Sequence, residues 1–282
     1  MAAVLLSAVM THLCAQQRSG VARLAVRLAG MTAVTGYEQA IGDSLLALLP
    51  GSARDRLGDV TLVLGQGTPR RLAACPLDEV GFVVGGITEQ GYLTLRRIGA
   101  HVAYPLFDQQ LEGQRVTVFG TRGAVPGVVA VKSIHLARDR GASDAPFTAD
   151  NAYVDVGAAT RADALALGAG VLSPVALTKH PVVYGDGLLA APASARRAAC
   201  AALATAAAAH SGVHGTVVIA FAVQSHYSAD AGLKAVRALF GPFDELKAVS
   251  VSARYPDTAV ETVALADVEA LERQLELWIA AR

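Results

Sequence analysis

The sequence predicts an α/β domain interrupted by a small β-rich domain, and three observations lead to this fold class. The chain has 282 residues, 53% apolar and 17% charged, which is enough for one large or two ordinary packed domains. Apolar residues recur at helical spacing towards both ends of the chain. Between them, short apolar runs separated by glycine turns indicate an antiparallel barrel or sandwich. We expect the α/β domain at residues 17–80 plus 184–282 and the inserted domain at residues 81–183.

The first part of the chain predicts two helices and two strands. Apolar residues at helical spacing favour a helix over residues 17–30. Thr35 and Glu38 have the spacing of a capping box, and an apolar helix is expected behind them at residues 41–49. The two strands are expected on either side of a glycine-rich turn, at residues 60–64 and 71–74.

The remaining elements are predicted from the same two patterns, short apolar runs in the inserted domain and helical spacing of apolar residues after it. Within the inserted domain, strands are expected at residues 91–95, 115–119 and 127–131, with a short helix at 161–167. Beyond residue 184 the helical pattern returns, and one continuous apolar run is typical of a buried strand. The expected elements there are helices at 193–209, 229–240 and 267–281 and strands at 217–223 and 248–253.

Composition limits the possible partners and compartments. The 24 basic and 24 acidic side chains balance, which argues against a nucleic-acid-binding face or a polybasic membrane patch. Cys14, Cys75 and Cys200 are isolated and odd in number, so we expect free thiols, no zinc knuckle and a reducing, cytoplasmic compartment. The apolar residues 1–16 lack the basic start of a signal peptide, and a first amphipathic or partner-packing helix is the favoured interpretation. No apolar run reaches the roughly 18 residues of a membrane span.

Several short segments, in their order along the chain, carry a family resemblance. The segments are Ala-Val-Thr-Gly-Tyr-Glu at 33–38, Ala-Cys-Pro-Leu-Asp-Glu-Val-Gly-Phe at 74–82, the run 128–136, Val-Asp-Val-Gly-Ala at 154–158 followed by Leu-Gly at 167–168, and Arg-Tyr at 254–255 followed by Glu-Thr-Val at 261–263. Together they resemble the glutamyl aminopeptidase and tetrahedral (TET) aminopeptidase family of cocatalytic zinc peptidases, which is also endoglucanase M-like. The resemblance implies a zinc-aminopeptidase-like α/β domain with an inserted, dimerisation-type β-barrel, and assembly into oligomers.

The same resemblance implies that the parent's metal site is largely lost. Pro76 stands where the family has a histidine ligand, and Ala195 stands where it has the aspartate that bridges two metals. Ser225 replaces the general base, while His226 and Asp257 replace a glutamate and a histidine ligand. A further aspartate ligand is expected in a segment that this shorter chain lacks. Proline, alanine and serine cannot bridge metals or accept a proton from water.

Two interpretations of His226 and Asp257 remain open. With Asp230 as a third ligand, they could form a rebuilt mononuclear site for zinc or cobalt. Alternatively, they are an ordinary hydrogen-bonded pair. Asp78 and Glu79 match the family. In the family this aspartate orients the histidine ligand, and here it is expected to hold backbone amides instead.

Other reactive side chains have less specific surroundings. Cys75 could be a nucleophile, but a buried structural cysteine is the favoured interpretation. Arg196 and Arg197 are expected to lie on a solvated helix face. If that face lines the cleft that holds the metals in the family, they could bind an anion. His101 and His135 are expected to be surface or structural residues. The adjacent Ser225 and His226 are not expected to act as a nucleophile and its base.

The favoured function is therefore that of a non-catalytic pseudopeptidase that serves as an oligomeric scaffold or as a binding or regulatory protein. We expect self-association through the β domain, as a dimer more readily than as a cage. A peptide or protein ligand is conceivable, and no cofactor, nucleic acid or membrane is expected. The alternative is a metal-dependent aminopeptidase or other hydrolase that uses the rebuilt site at His226 and Asp257.

Overall fold

The computed structural model describes residues 19–99, 107–131, 146–210, 212–227 and 230–281. The apolar segment 1–16, with Cys14, and the histidines His101 and His135 lie outside the described residues. In chain order the elements are α1 (Gly20–Ala29), α2 (Gln39–Leu48), β1 (Ala53–Arg54), β2 (Val60–Gly65), β3 (Arg70–Pro76), β4 (Gly81–Ile87), β5 (Leu93–Ile98), β6 (Arg115–Gly120), β7 (Gly123–Val129), β8 (Tyr153–Asp155), α3 (Arg161–Ala166), β9 (Pro174–Leu177), β10 (Val182–Tyr184), β11 (Leu188–Ala190), α4 (Ser194–Ala209), β12 (Thr216–Ala222), α5 (Ala231–Phe240), β13 (Glu245–Ala248), β14 (Thr262–Ala264) and α6 (Leu265–Ala280).

A mixed five-stranded sheet forms the centre of the α/β part, in the order β1-β2-β12-β3-β13. β12 runs antiparallel to β2 and parallel to β3, and β13 runs parallel to β3 at the edge. All seven residues of β12 are buried, because both faces of the sheet are covered there. Helices α1, α4 and α6 pack together over one face, and α5 packs on the other. The parallel strands β3, β12 and β13 bring their carboxyl ends to the same edge.

A closed barrel of six strands, in the order β4-β5-β8-β7-β6-β9, lies between the two halves of the α/β part in sequence. It has its own apolar core, which includes Val84, Leu95, Val118 and Val175. The first barrel strand pairs with the last, so the chain enters and leaves the barrel at neighbouring positions. The exact domain boundaries at residues 81 and 183 remain a prediction. β10, β11 and β14 form a separate small sheet.

The prediction of isolated thiols is wrong for two of the three cysteines. Cys75 and Cys200 form a disulfide between β3 and α4, 125 residues apart in sequence. Both are fully buried, because α4 packs directly behind β3. The disulfide removes Cys75 as a candidate nucleophile. It also removes the argument from free thiols to a reducing compartment, since disulfides persist in oxidising surroundings. No helix in the described part of the chain is long and apolar enough to cross a membrane.

Three local predictions also need correction. Thr35 does not cap α2, because its hydroxyl instead donates to the buried carboxylate of Asp78. Arg197 is not on a solvated face, since its side chain is fully buried within the protein. The strand expected at residues 248–253 lies earlier, at Glu245–Ala248, where it pairs with β3.

Candidate functional site

The candidate site surrounds a turn that follows β12 at the carboxyl end of the sheet. Ser225 and His226 lie in this turn and not in a strand. Three carboxylates hold the turn by accepting hydrogen bonds from its backbone amides, which fixes its path without using any side chain of the turn. These bonds run from Val223 to Asp59 at 2.8 Å, from Gln224 to Glu38 at 2.9 Å and from His226 to Asp78 at 3.1 Å.

Strained backbone is concentrated around this turn. Outside glycine, a positive φ angle is uncommon and costs stability, and such residues cluster where surrounding contacts over-determine the geometry. Four of the six non-glycine residues with positive φ in the described part of the chain lie in the turn or close to its contacting groups. They are Ala193, Gln224, Asp230 and Asp257.

Asp78 is a buried anion that ties three elements together. It accepts the hydroxyl of Thr35 at 2.7 Å and the amide of His226, and the guanidinium of Arg196 lies 3.6 Å from its other oxygen. Burial opposes its charge, but hydrogen bonds from Ser225 and Thr35, the His226 amide and the Arg196 charge outweigh that cost, so its pKa is lowered. The Asp78 carboxylate is therefore ionised, and the His226 amide and the Arg196 guanidinium are its backbone and cationic partners.

Glu79, next in sequence, forms a buried charge cluster. Its carboxylate contacts the ammonium group of Lys179, lies 3.4 Å from the guanidinium of Arg197, and accepts the amide of Ala33 at 2.9 Å. Burial would raise the pKa of Glu79, but the charges of Lys179 and Arg197 more than offset this and lower it. The lysine also donates to the carbonyl of Pro192 at 2.8 Å. This cluster joins the loop before the barrel to the segment after it and to α4.

Glu261 links the start of α4 to the segment before β14. Its carboxylate accepts the amide of Ala195 at 2.7 Å and the amide of Asp257 at 2.8 Å. A carboxylate is favourable at this end of a helix, because the unpaired amides and the helix dipole are positive there. The side chain of Ala195 itself contributes only a methyl group to the site.

Arg196 brings a positive charge into the same place. Its guanidinium donates to the hydroxyl of Ser225 at 2.7 Å and approaches Asp78. The side chain is 27% exposed, so it reaches from the cleft surface towards the buried carboxylate. The position implied for the general base is thus occupied by a hydroxyl that is hydrogen-bonded to an arginine.

His226 is neutral and lacks a partner for one ring nitrogen. Burial and the charge of Arg196 lower its pKa, against the opposing effects of Asp78, Asp257 and Asp230. Its buried Nε2 has no hydrogen-bond partner among the described residues. In the described part of the chain, no three histidine, cysteine, aspartate or glutamate side chains come together in a way that could hold a metal ion.

A cavity of about 450 Å³ opens beside the turn at the carboxyl ends of β3, β12 and β13. Pro76, Ser225 and Asp230 line it, while Ala195 lies outside its walls. Sequence reasoning missed the anchoring carboxylates of Asp59 and Glu261. An acidic residue within an apolar stretch of sequence was the available signal for such a buried carboxylate. Only the fold reveals which backbone amides donate to it.

Comparison with known proteins places the chain in a family. Residues 58–237, more than half of the chain, match the profile of the M42 glutamyl aminopeptidase family. The chain is 32% identical over 178 residues to SgcX of Escherichia coli (strain K12), a candidate aminopeptidase by name, covering 61% of this chain and 46% of that protein. It is 31% identical over 140 residues to the lysyl aminopeptidase of Pyrococcus furiosus, covering 48% of this chain and 39% of that protein. The matched regions thus span less than half of either relative.

Solved structures share the fold over nearly the whole chain. The TET1 peptidase of Pyrococcus horikoshii superposes with a TM-score of 0.81 at 20% identity, covering 91% of this chain and 98% of that one. An endoglucanase of Thermotoga maritima superposes with a TM-score of 0.67 at 16% identity, covering 91% and 96%. These likenesses confirm the predicted fold class, and the family profile confirms the resemblance. The chain belongs to the M42 glutamyl aminopeptidase family.

Proposed function

We propose that this chain is a non-catalytic homologue of the metallo-aminopeptidases that acts as a self-associating scaffold or binding protein. The support comes from the side chains at three positions. Pro76, Ala195 and Ser225 stand where the family resemblance implies a metal ligand, a bridging carboxylate and a general base. A two-metal hydrolase needs the bridge to hold its metals and the base to take a proton from water.

The observation that carries the proposal is the position of Arg196. Its guanidinium lies 2.7 Å from the Ser225 hydroxyl and 3.6 Å from the Asp78 carboxylate. A fixed cation at this distance from the remaining carboxylate repels a divalent cation and already compensates the carboxylate's charge. The donor set around the turn therefore does not fit a pair of zinc or cobalt ions.

Peptidase assays test the proposal directly. We expect no metal-dependent release from Leu-, Glu- or Lys-anilides in the presence of zinc, cobalt or manganese. The lysyl aminopeptidase of Pyrococcus furiosus serves as the positive control for the Lys-anilide. Metal-dependent release that is lost in His226→Ala or Asp257→Ala would overturn the proposal, because it would assign turnover to this site.

The second candidate is a mononuclear metal site, favoured by one observation. The imidazole of His226 is neutral and its Nε2 is unpartnered among the described residues, which is the state of a histidine ligand. Asp257 and Asp230 are close enough to act on its pKa. Elemental analysis of the purified protein for zinc and cobalt separates the two candidates. One equivalent of metal in the wild type and none in His226→Ala would favour the metal site.

Self-association is the second part of the proposal. The solved TET1 peptidase of Pyrococcus horikoshii can assemble into a tetrahedron or an octahedral shell. We expect this chain to form at least a dimer through its barrel. Light scattering over a range of protein concentrations measures the mass. A monomer mass at every concentration would overturn the scaffold role and leave only a monomeric binding protein.

A further inference from the structure

The cavity at the carboxyl ends of β3, β12 and β13 has an apolar interior. Its volume of about 450 Å³ is within the range of small-molecule sites. One wall is formed by α5, and the others come from the three strands. Aliphatic side chains and a proline supply most of the surface: Leu72, Ala74, Pro76, Ala222, Leu233 and Val249.

The charged groups on its walls are mainly cationic. Arg237 on α5 and Lys247 on β13 line the cavity, and neither forms a salt bridge with another described residue. Arg196 lies just behind, bonded to the lining hydroxyl of Ser225, but Asp78 already compensates its charge. Asp230 is the one acidic side chain among the lining residues. The balance therefore favours an anion.

We propose that this cavity binds a small apolar carboxylic acid, with its alkyl part among the aliphatic side chains and its carboxylate towards Arg237 and Lys247. The inference rests on the proposed role of a non-catalytic binding protein, and it names the chemistry of the ligand. Two cations that form no salt bridge with any residue the structure describes, beside an apolar interior, complement an amphipathic anion. An apolar amine would instead bring its positive charge close to Arg237 and Lys247, which would repel it.

Three probes of equal chain length separate charge from hydrophobicity. Isothermal titration calorimetry compares octanoate, octan-1-ol and octylamine. We expect octanoate to bind about tenfold more tightly than octan-1-ol, which corresponds to about 1.4 kcal/mol, and octylamine to bind most weakly. Added salt should weaken octanoate binding and leave octan-1-ol unchanged. Equal affinity for the three probes, or no heat with octanoate, overturns the proposal.

Variants locate the binding. Arg237→Ala and Lys247→Ala should each weaken octanoate binding about threefold or more and together remove its advantage over octan-1-ol. Ala248 lines the cavity and is exposed, so Ala248→Phe should block the alkyl part while preserving the melting temperature. Arg273→Ala, on the helix over the opposite face of the sheet, is the matched control and should bind normally. If Arg237→Ala, Lys247→Ala and Ala248→Phe all bind octanoate with unchanged affinity, the proposed location of the binding site is wrong.

The anilide assay on the same preparations keeps this inference separate from the proposed function. No octanoate binding by a protein without turnover rejects the carboxylate site alone. Turnover together with octanoate binding rejects the non-catalytic role alone. If a second copy of the chain covers the cavity, octanoate binding disappears as light scattering reports dimer formation, which also overturns the inference.

Discussion

Replacing Asp59 with asparagine is expected to stabilise the protein above neutral pH and to remove part of its pH dependence. The Asp59 side chain is fully buried, and one oxygen accepts the amide of Val223 at 2.8 Å. Its other oxygen is buried next to Asp55, whose carboxylate already accepts three backbone amides. Burial, followed by the charges of Asp55 and Glu38, raises the pKa of Asp59 from 3.8 to about 7, against the lowering effect of the Val223 amide.

The sign of the effect follows from this raised pKa. A carboxyl whose pKa is higher in the folded than in the unfolded state favours folding while it is protonated. Its contribution is complete below about pH 4 and is lost as the pH rises through about 7. The difference between the folded and unfolded pKa of Asp59 corresponds to at most about 4 kcal/mol of unfolding free energy. Relaxation of the protein around the charged carboxylate reduces this to about 2–4 kcal/mol.

Asparagine reproduces the protonated form at every pH. Its oxygen can accept the Val223 amide, and its NH₂ group can donate to the Asp55 carboxylate. We therefore expect Asp59→Asn to match the wild type below about pH 4, to become the more stable protein as the pH rises, and to exceed its unfolding free energy by about 2–4 kcal/mol near about pH 8.

Urea unfolding followed by circular dichroism at several pH values measures this difference. Asp43→Asn is the control, because Asp43 is an exposed carboxylate on α2 that pairs with Arg54 at the surface. It should change stability by less than about 1 kcal/mol and retain the pH profile of the wild type. Parallel profiles for the wild type and Asp59→Asn would refute the reasoning, as would a less stable Asp59→Asn protein near about pH 8.

Three further changes test the framework of the site. Arg197→Met should lower the unfolding free energy by about 3–5 kcal/mol, because it removes one of the two cationic partners of the buried Glu79 carboxylate; a loss under about 1 kcal/mol in urea unfolding would contradict this. Replacing Cys75 and Cys200 with serine should cost about 2–5 kcal/mol, and thiol titration of the unreduced, unfolded wild type should find no free thiol at either position. Joining Val80 to Thr178 by a short glycine linker should leave an α/β part that unfolds cooperatively, since the barrel's first and last strands are neighbours; a broad, non-cooperative transition would contradict the predicted division into domains.

The sequence was sufficient for most helices and for β2, β3 and β12, but not for every strand of the barrel and of the small sheet, nor for the contacts that fix the site. Hydrophobic periodicity located β12 and most helices, because those elements bury a regular set of apolar residues. The disulfide between Cys75 and Cys200 could not be predicted, since their proximity depends on how α4 packs behind β3. Arg197 was misplaced for a related reason: charged residues are mostly exposed, and its burial depends on Glu79, a distant residue in sequence.

The cleft also contains features that cost stability, and these bear on the choice between an inert scaffold and a binding protein. The buried cluster of Glu79, Lys179 and Arg197 carries a large desolvation cost, which well-packed apolar residues would remove. Residues with positive φ around the turn, such as Gln224 and Asp257, each cost about 1–3 kcal/mol. An inert scaffold that associates through its barrel, as proposed above, needs neither feature. A cleft held in one geometry beside an open apolar cavity gains from both, since a preorganised site loses less entropy when its ligand binds. The costs therefore favour a binding role for the cleft over a purely architectural one.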